Sequence, residues 1–179
     1  MPTPIGHLFA GAVVYQASAK TKVMFLLFVC FFSLLPDIDF LFGFPSGDPN
    51  RYHHLFTHSF IFVALAGFTG GFIYFMVSGE KWFYSSAIFV SAGISHVLLD
   101  CLALDQRLPY GCPLLWPISN SFIISPITIF SDVKRISDSR QFFPSLLNLH
   151  NLKTVLLEIT ILTPLLAAFV WRNKNAQRN

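Results

Sequence analysis

The feature that most constrains this 179-residue chain is a series of apolar runs, several of which match the thickness of a membrane. A helix needs about 20 apolar residues to cross the hydrocarbon core of a bilayer. Three runs reach that length, and a fourth, which carries Glu158, is shorter: 23–44, 59–77, 82–104 and 155–171. An opening run, 5–19, is rich in small residues and either crosses at a tilt or lies against the others. The runs predict an all-α polytopic membrane protein with four to five membrane helices.

The overall composition favours the same class of protein. Apolar residues make up 54% of the chain and charged residues only 12%, whereas soluble domains carry about a quarter charged residues. The lipid bilayer is therefore the expected partner. A net charge of +3 with no basic block argues against nucleic acid. Three scattered cysteines without a CxxC pair argue against disulfides and a thiolate zinc site. The sequence leaves the oligomeric state open.

Residues 105–153 differ from the rest of the chain. Several prolines, Gly111 and a number of charges make this segment a poor spanning helix. We predict one membrane-embedded domain, 1–179, within which 105–153 forms an irregular, Pro-rich extramembrane or re-entrant lobe between the last two helices. The basic residues at 134–140 are interleaved with Asp132 and Asp138, which favours a solvated helix face over a site for phosphate headgroups.

The distribution of basic residues predicts an orientation. When the chain is threaded up and down, short connectors on one side contain Lys20, Lys22, Lys81, Arg172, Lys174 and Arg178. On the other side the basic residues are spread over more than fifty positions. Positive residues favour the cytoplasmic side. The connectors and the C-terminus are therefore predicted to be cytoplasmic, and the lobe is predicted to lie outside.

This threading brings the ionisable residues of the apolar runs to one level near the outer face. Such groups cost a few kcal/mol each at membrane depth, so they are rare and usually partnered or functional. Carboxylates and imidazoles gathered there need a positive partner between them, which a divalent metal ion supplies. The residues at this level are His7, Asp37, Asp39, His53, His54, His58, His96 and Asp100.

The spacings within this set suit metal ligands. His96 and Asp100 are four residues apart on a helix, so they either grip one ion together or Asp100 orients His96. Pro36 is expected to break its helix into an extended turn in which Asp37 and Asp39 point the same way. Thr57 is a candidate N-cap for the helix that follows His58. Histidine with carboxylate favours zinc, manganese or iron, and the number of ligands allows one ion or two.

Five motifs, "GHLFAG", "LLPDIDF", "HHLFTHSF", "SHVLLD" and "YGCPLLWPIS", occur in this order. Over residues 5–120 the chain resembles the YdjM-like bacterial inner-membrane proteins, which are described as membrane-bound metal-dependent hydrolases. The family pattern has H-R-G where this chain has His53-His54-Leu55, so His54 replaces an arginine, a residue type that contacts phosphate. The resemblance implies a bacterial inner-membrane location and these metal ligands: His7, Asp37, Asp39, His53, His58, His96 and Asp100.

The favoured functional hypothesis is a membrane hydrolase that uses a metal-activated water. Asp39 or Asp100 would be the general base, and His54 and Trp116 would contact substrate. A site at the bilayer surface suggests a phospholipid or another lipid-linked phosphoester.

Two other hypotheses use the same ligands. The first is a divalent-cation transporter or a metal sensor without hydrolytic activity; transport would require polar residues that continue through the bundle. The second is a structural membrane protein in which a metal ion staples the helices together.

Overall fold

The computed structural model describes residues 1–178, and within this range it contains seven α-helices, four short 3-10 helices and no strand. Two isolated β-bridges, between Ala103 and Phe130 and between Cys112 and Ile123, complete the regular structure. The helices are α1 Pro4–Ala17, α2 Val23–Leu34, α3 Asp39–Gly43, α4 Phe60–Ser78, α5 Trp82–Cys101, α6 Phe142–Leu146 and α7 Leu149–Ala176.

Four helical segments are long and apolar enough to cross a membrane: Val23–Ser46, Phe60–Ser78, Trp82–Cys101 and Leu149–Ala176. The first of these combines α2, α3 and the turns that adjoin them. Large apolar side chains cover their outer surface; Leu27, Leu65 and Phe83 are each more than 60% exposed. Exposed apolar surface of this extent marks contact with lipid rather than water. The prediction of an all-α polytopic membrane protein is confirmed.

Helix α7 extends beyond the apolar run that predicts it at both ends. The Asn148 side chain caps its start by accepting a hydrogen bond from the backbone N–H of Asn151. Pro164 lies inside the helix, which continues through it to Ala176. The polar residues at the two ends are therefore helical although they contribute nothing to an apolar pattern.

Helices α4 and α5 form the closest pair in the bundle because small residues line their interface. A methyl group added to Gly67 would lie 2.7 Å from the backbone nitrogen of Val90. One added to Gly71 would lie 2.6 Å from the backbone nitrogen of Ser86. Small residues let membrane helices approach in this way and gain packing contacts that lipid cannot supply. This packing fixes the position of α5, whose C-terminal end carries His96 and Asp100.

Helix α1 is too short to cross a bilayer by itself. Its 14 residues span about 21 Å at 1.5 Å per residue, and it packs against α2, α5 and α7. Its start is fixed by Thr3, whose backbone N–H donates to Glu158 Oε1 at 2.7 Å and whose hydroxyl donates to Glu158 Oε2. Glu158 is fully buried on α7, so a buried carboxylate anchors α1 within the bundle.

The short connectors meet at one end of the bundle, which we call the connector end (residues 18–22, 79–81 and 172–178). Lys20 and Lys22 both pair with Glu80, at 2.5 and 3.0 Å. Arg172 donates to the carbonyl of Ala17 at 3.1 Å. The charges of Lys20, Lys22, Glu80 and Arg172 thus have partners within the chain.

The lobe, residues 102–148, lies at the opposite end from the connectors. It is mostly irregular and is tied to the helices by backbone hydrogen bonds, such as Ser125 N to Cys101 O and Phe60 N to Leu114 O. Segment 131–137 has no helix. The prediction of a solvated helix face at 134–140 is therefore wrong, because the segment's backbone bonds instead to Asn151 and Ser145 side chains.

Candidate metal centre

Side chains from five parts of the chain meet in one buried cluster at the lobe end of the bundle. Helix α1, the turn after α2, helix α3, the loop before α4 and the end of α5 each contribute. The imidazoles of His7, His58 and His96 are fully buried. The structure brings together all eight ionisable residues that the sequence places at one level: His7, Asp37, Asp39, His53, His54, His58, His96 and Asp100.

The turn after α2 differs from the predicted extended one, and that prediction is wrong. Pro36 ends the α-helix, but the chain continues as a 3-10 helix over Leu35–Ile38 and then as α3. Proline at the first turn of a helix is tolerated because it has no N–H to lose there. The tighter coil places Asp37 and Asp39 on either side of the His58 ring: Asp37 Oδ1 lies 3.7 Å from Nε2 and Asp39 Oδ2 lies 3.2 Å from Nδ1.

His96 is oriented by the backbone at the end of α2. Its Nδ1 lies 2.8 Å from the carbonyl oxygen of Ser33, one of the last four carbonyls of α2 and therefore without an intrahelical donor. The Nδ1–H donates to this oxygen, so the lone pair is on Nε2. That nitrogen faces Asp100 Oδ2 at 3.1 Å. Ser33, rather than Asp100, fixes the His96 ring, which leaves Asp100 free to act as a ligand.

Asp39 orients the loop that carries three of the histidines. Its Oδ2 accepts hydrogen bonds from the Thr57 hydroxyl at 2.9 Å and from the backbone N–H of His54 at 3.2 Å. Its Oδ1 lies 3.0 Å from His53 Nδ1. Asp39 thus has a donor for each oxygen and behaves as a support for His58, in the carboxylate–histidine arrangement common at metal sites.

The prediction that Thr57 caps α4 is wrong. The Ser59 side chain caps this helix by accepting a hydrogen bond from the backbone N–H of Phe62. The Thr57 hydroxyl is instead used by Asp39. His54, which adopts a left-handed backbone conformation with φ of 61°, lets the loop turn sharply enough for its N–H to reach Asp39.

The ligand atoms at the centre of the cluster are spaced as a small metal ion requires. His58 Nε2, His96 Nε2, Asp37 Oδ1 and Asp100 Oδ2 form five contacts of 3.1–3.7 Å. Two atoms bound about 2.0–2.1 Å from a tetrahedral zinc ion lie about 3.3–3.4 Å apart. The buried His and Asp groups are therefore close enough together to hold a metal ion.

Several buried polar atoms in the cluster have no hydrogen-bond partner among residues 1–178. They are both ring nitrogens of His7, Nε2 of His54, Oδ1 of Asp37 and both carboxylate oxygens of Asp100. A buried polar group without a partner costs about 1–3 kcal/mol, and more when it is charged. A native protein keeps such a concentration of unpaired groups where something else binds them, and these are the donor types that a first-row metal prefers.

Two residues that the sequence did not single out also join the cluster. Asp105 Oδ2 lies 3.5 Å from His54 Nδ1, and Cys112 lies close enough to His54 and Asp100 to share an ion with them. Both come from the lobe and have no spacing relation to the other motifs. Sequence reasoning could have found Asp105 only as an acid that directly follows the "SHVLLD" helix.

The surroundings shift the pKa values of the loop histidines His53 and His58 in opposite directions. Burial would lower the pKa of His58, but the adjacent carboxylates of Asp100, Asp37 and Asp39 outweigh it and hold the pKa well above its usual value. Burial, together with His54 and Arg135, holds the pKa of His53 well below its usual value. Burial alone would raise the pKa of Asp105, yet hydrogen bonds from His54, Gly111 and Arg107 lower it to about 2. The carboxylates therefore draw positive charge to the position of His58.

The two predicted substrate-binding residues lie in different places. His54 lines a cavity of about 400 Å³ beside the cluster, together with His53 and Asp105. Trp116 lines a separate apolar groove and packs against Phe56, with ring centroids 5.7 Å apart. The structure does not bring Trp116 to the metal ligands.

The fold and the cluster together define an integral membrane protein with a buried histidine–aspartate centre that can hold a metal ion. The chain belongs to the YdjM inner membrane protein family, whose family model matches residues 1–176. The match extends the resemblance seen over residues 5–120 to nearly the whole chain and supports a location in a membrane. Neither a curated protein nor a solved structure matches.

Proposed function

We propose that this protein is a membrane-bound metal-dependent hydrolase that acts on a phospholipid or another lipid-linked phosphoester. The observation that carries the proposal is the set of unpaired, buried ligand atoms around His58 and His96. Asp37, His58, His96 and Asp100 would hold the ion, with His7 stacked on His96 at a centroid distance of 3.6 Å. Zinc is the first choice, with manganese or iron as alternatives. A second ion would use His54, Asp100 and Cys112.

When bound, the ion would supply Lewis acidity that polarises a phosphoryl oxygen and lowers the pKa of a water molecule. The protein's own residues would orient the ligands and accept the proton. Asp100 is the better placed of the two candidate bases, because its oxygens have no hydrogen-bond donor. Asp39 already accepts from Thr57, His54 and His53, so we assign it a supporting role.

The setting of the site supports a substrate that belongs to the membrane. The ligands lie at the lobe end of helices that have exposed apolar faces, which would place them near the depth of lipid headgroups. The concentration of basic residues in the short connectors favours a cytoplasmic connector end and a metal centre toward the outer face of a bacterial inner membrane.

The residues below the cluster favour a hydrolase over a cation transporter. Toward the connector end, the bundle interior is filled by a hydrophobic core that includes Phe25, Phe32, Tyr74 and Phe89. A transported cation needs polar groups along its path. Within residues 1–178 the polar groups of this core are the hydroxyls of Tyr15 and Tyr74, and that of Tyr74 has no hydrogen-bond partner.

The first test is metal content, measured by elemental mass spectrometry on protein purified in detergent. Wild type should contain stoichiometric zinc, manganese or iron, and folded His58→Ala and Asp100→Ala variants should lack it. Metal-dependent release of phosphate or headgroup from lipid phosphoesters is then measured. A wild-type protein that neither contains metal nor takes it up from added salts would overturn the proposal.

A metal that only staples the helices gives a different pattern. In that case His58→Ala would lower the melting temperature as metal is lost, but no lipid phosphoester would be hydrolysed by the loaded wild type. Retained folding with lost hydrolysis in Asp100→Ala supports the hydrolase.

A further inference from the structure

The cavity beside the metal cluster has a second set of polar side chains that the metal centre does not use. Among its lining residues are three arginines, Arg51 from the loop before α4 and Arg107 and Arg135 from the lobe. His53 and His54 of the cluster line the same cavity. Three arginines and the edge of the metal centre therefore line one space of about 400 Å³.

None of these three arginines pairs with a carboxylate among residues 1–178. The acids that line the cavity are already engaged. Asp48 accepts from the backbone of Asn50, Asp105 accepts from the backbone of Arg107 and Gly111, and Asp132 bonds to His150. Three carboxylates therefore share the cavity with the three arginines, but none of them forms an ion pair with a guanidinium group in the described chain.

Arg135 is held in place by contacts that leave its ends free. Its Nε donates to Asn50 Oδ1, and its guanidinium lies over the Phe40 ring, 5.0 Å from the centroid. Stacking of this kind stabilises a guanidinium and fixes its plane. The two terminal nitrogens donate no hydrogen bond within residues 1–178. A fixed guanidinium with two free donors is ready to bind an oxyanion.

Arg107 is positioned next to Arg135. It donates from Nη1 to Ser137 Oγ at 3.1 Å and from Nη2 to the carbonyl of Arg135 at 2.8 Å. Burial and, after it, the nearby charge of Arg107 lower the pKa of Arg135 to about 10. Bringing two like charges together costs free energy, which a bound anion would offset.

We propose that Arg107 and Arg135, with Arg51, form a binding subsite for a phosphate group beside the metal centre. The inference rests on the proposed function and deepens it, because it assigns the residues that recognise the phosphate of the substrate. A guanidinium presents two parallel N–H donors that match two phosphate oxygens. The phosphate belongs to a lipid headgroup or to a soluble phosphate, and both have the same chemistry at this subsite.

The test uses full-length protein in detergent, treated with chelator so that no metal contributes to binding. Inorganic phosphate is titrated by calorimetry into wild type, Arg135→Gln, Arg107→Gln and the control Arg140→Gln, which removes an exposed lobe arginine outside the cavity. We expect the dissociation constant for phosphate to rise at least tenfold in the two cavity variants and to stay unchanged in the control.

A second set of measurements identifies the source of the phosphate. Short-chain phosphatidic acid, added in mixed micelles, competes with inorganic phosphate if the subsite takes a lipid headgroup, whereas phosphatidylcholine does not. Phosphate binding that depends on Arg135 but is not displaced by phosphatidic acid assigns the subsite to soluble phosphate. Both results support the subsite. Equal phosphate affinity in all four proteins, or no binding by wild type, overturns it.

The design separates this inference from the proposed function. Arg135→Lys keeps the charge but loses the planar fork, so it should fold and bind phosphate with intermediate affinity. If phosphate binding depends on Arg135 while no variant shows metal-dependent hydrolysis, the proposed function fails and the subsite stands. If hydrolysis depends on metal while the arginine variants bind phosphate as wild type does, the subsite fails alone.

Discussion

The two ends of the helical bundle treat charge in opposite ways. At the connector end, Lys20 and Lys22 surround Glu80 on the surface, and the charges there are partly exposed and paired. At the lobe end, buried imidazoles and carboxylates crowd together, and Asp37 and Asp100 keep oxygen atoms without hydrogen-bond donors. Paired charges at the surface remain in contact with water and need no further partner. Buried carboxylates without hydrogen-bond donors, in contrast, indicate that a positive partner such as a metal ion binds there.

The substitution of a metal ligand is expected to have the largest effect, and it tests the difference between the two ends most directly. Metal that binds only the folded protein stabilises it by about 2.7 kcal/mol at a free concentration one hundred times Kd. Adding zinc to chelated wild type should therefore raise Tm, and so should adding it to Glu80→Ala, which alters only the connector end. His96→Ala should show no such rise. Differential scanning fluorimetry in detergent measures all three, and a zinc-induced rise in His96→Ala would remove His96 from the centre.

A smaller effect is expected from the residue that supports the ligands. Asp39→Asn should weaken metal binding by about 10- to 100-fold, the usual cost of losing an outer partner of a ligating histidine. Competition with a fluorescent zinc chelator measures the affinity. Asp37→Asn serves as the matched comparison and should lose metal outright. Equal losses in the two variants would show that Asp39 is itself a ligand.

The anchor of α1 should affect stability more than metal affinity. Glu158→Ala leaves the N–H and hydroxyl of Thr3 without an acceptor, and an unsatisfied buried group costs about 1–3 kcal/mol. We expect a lower Tm and a fall in zinc affinity smaller than that of Asp39→Asn, because only His7 depends on the position of α1. Thr3→Val tests the same contact from the other side. Wild-type stability in both variants would contradict the anchoring role.

The smallest effect belongs to the connector end. Hydrogen bonds from Lys20 and Lys22 lower the pKa of Glu80 below its usual value. The contribution of this group to stability is therefore present above the ordinary glutamate pKa and is lost as pH falls through the lowered folded-state value. Surface pairs contribute little and are screened by salt. The Tm of Glu80→Gln should thus match wild type at neutral pH in high salt, and metal content should be unchanged.

The sequence predicted the helices and the members of the cluster well, because both can be recognised from the types of residue in a short segment of sequence. Apolar length identifies the spanning helices, and ionisable residues within apolar runs are rare enough to stand out. The roles of individual residues depend on contacts between distant segments. That Ser33 orients His96 and that Asp39 supports His58 follow from the 3-10 turn at Pro36, whose geometry the sequence pattern did not reveal.

The lobe shows the limit of sequence reasoning more clearly. Arg135 lies among alternating charges that predicted a solvated helix, yet the segment is irregular and turns this side chain into the cavity. The partners that hold it there, Asn50 and Phe40, are at least 85 residues away. The secondary-structure propensity of residues near Arg135 carries no information about contacts with segments so distant in the sequence.

The contact between Thr3 and Glu158 also sets an order of events. Its two partners are 155 residues apart in the sequence, so a growing chain has made His7 long before the carboxylate that secures α1. During synthesis the hydrogen bonds that fix the start of α1 must therefore wait until α7 emerges and inserts, although α1 can already pack against α2 and α5. The position of His7 is therefore secured last, after the segments that carry Asp37, His58, His96 and Asp100 have all been made.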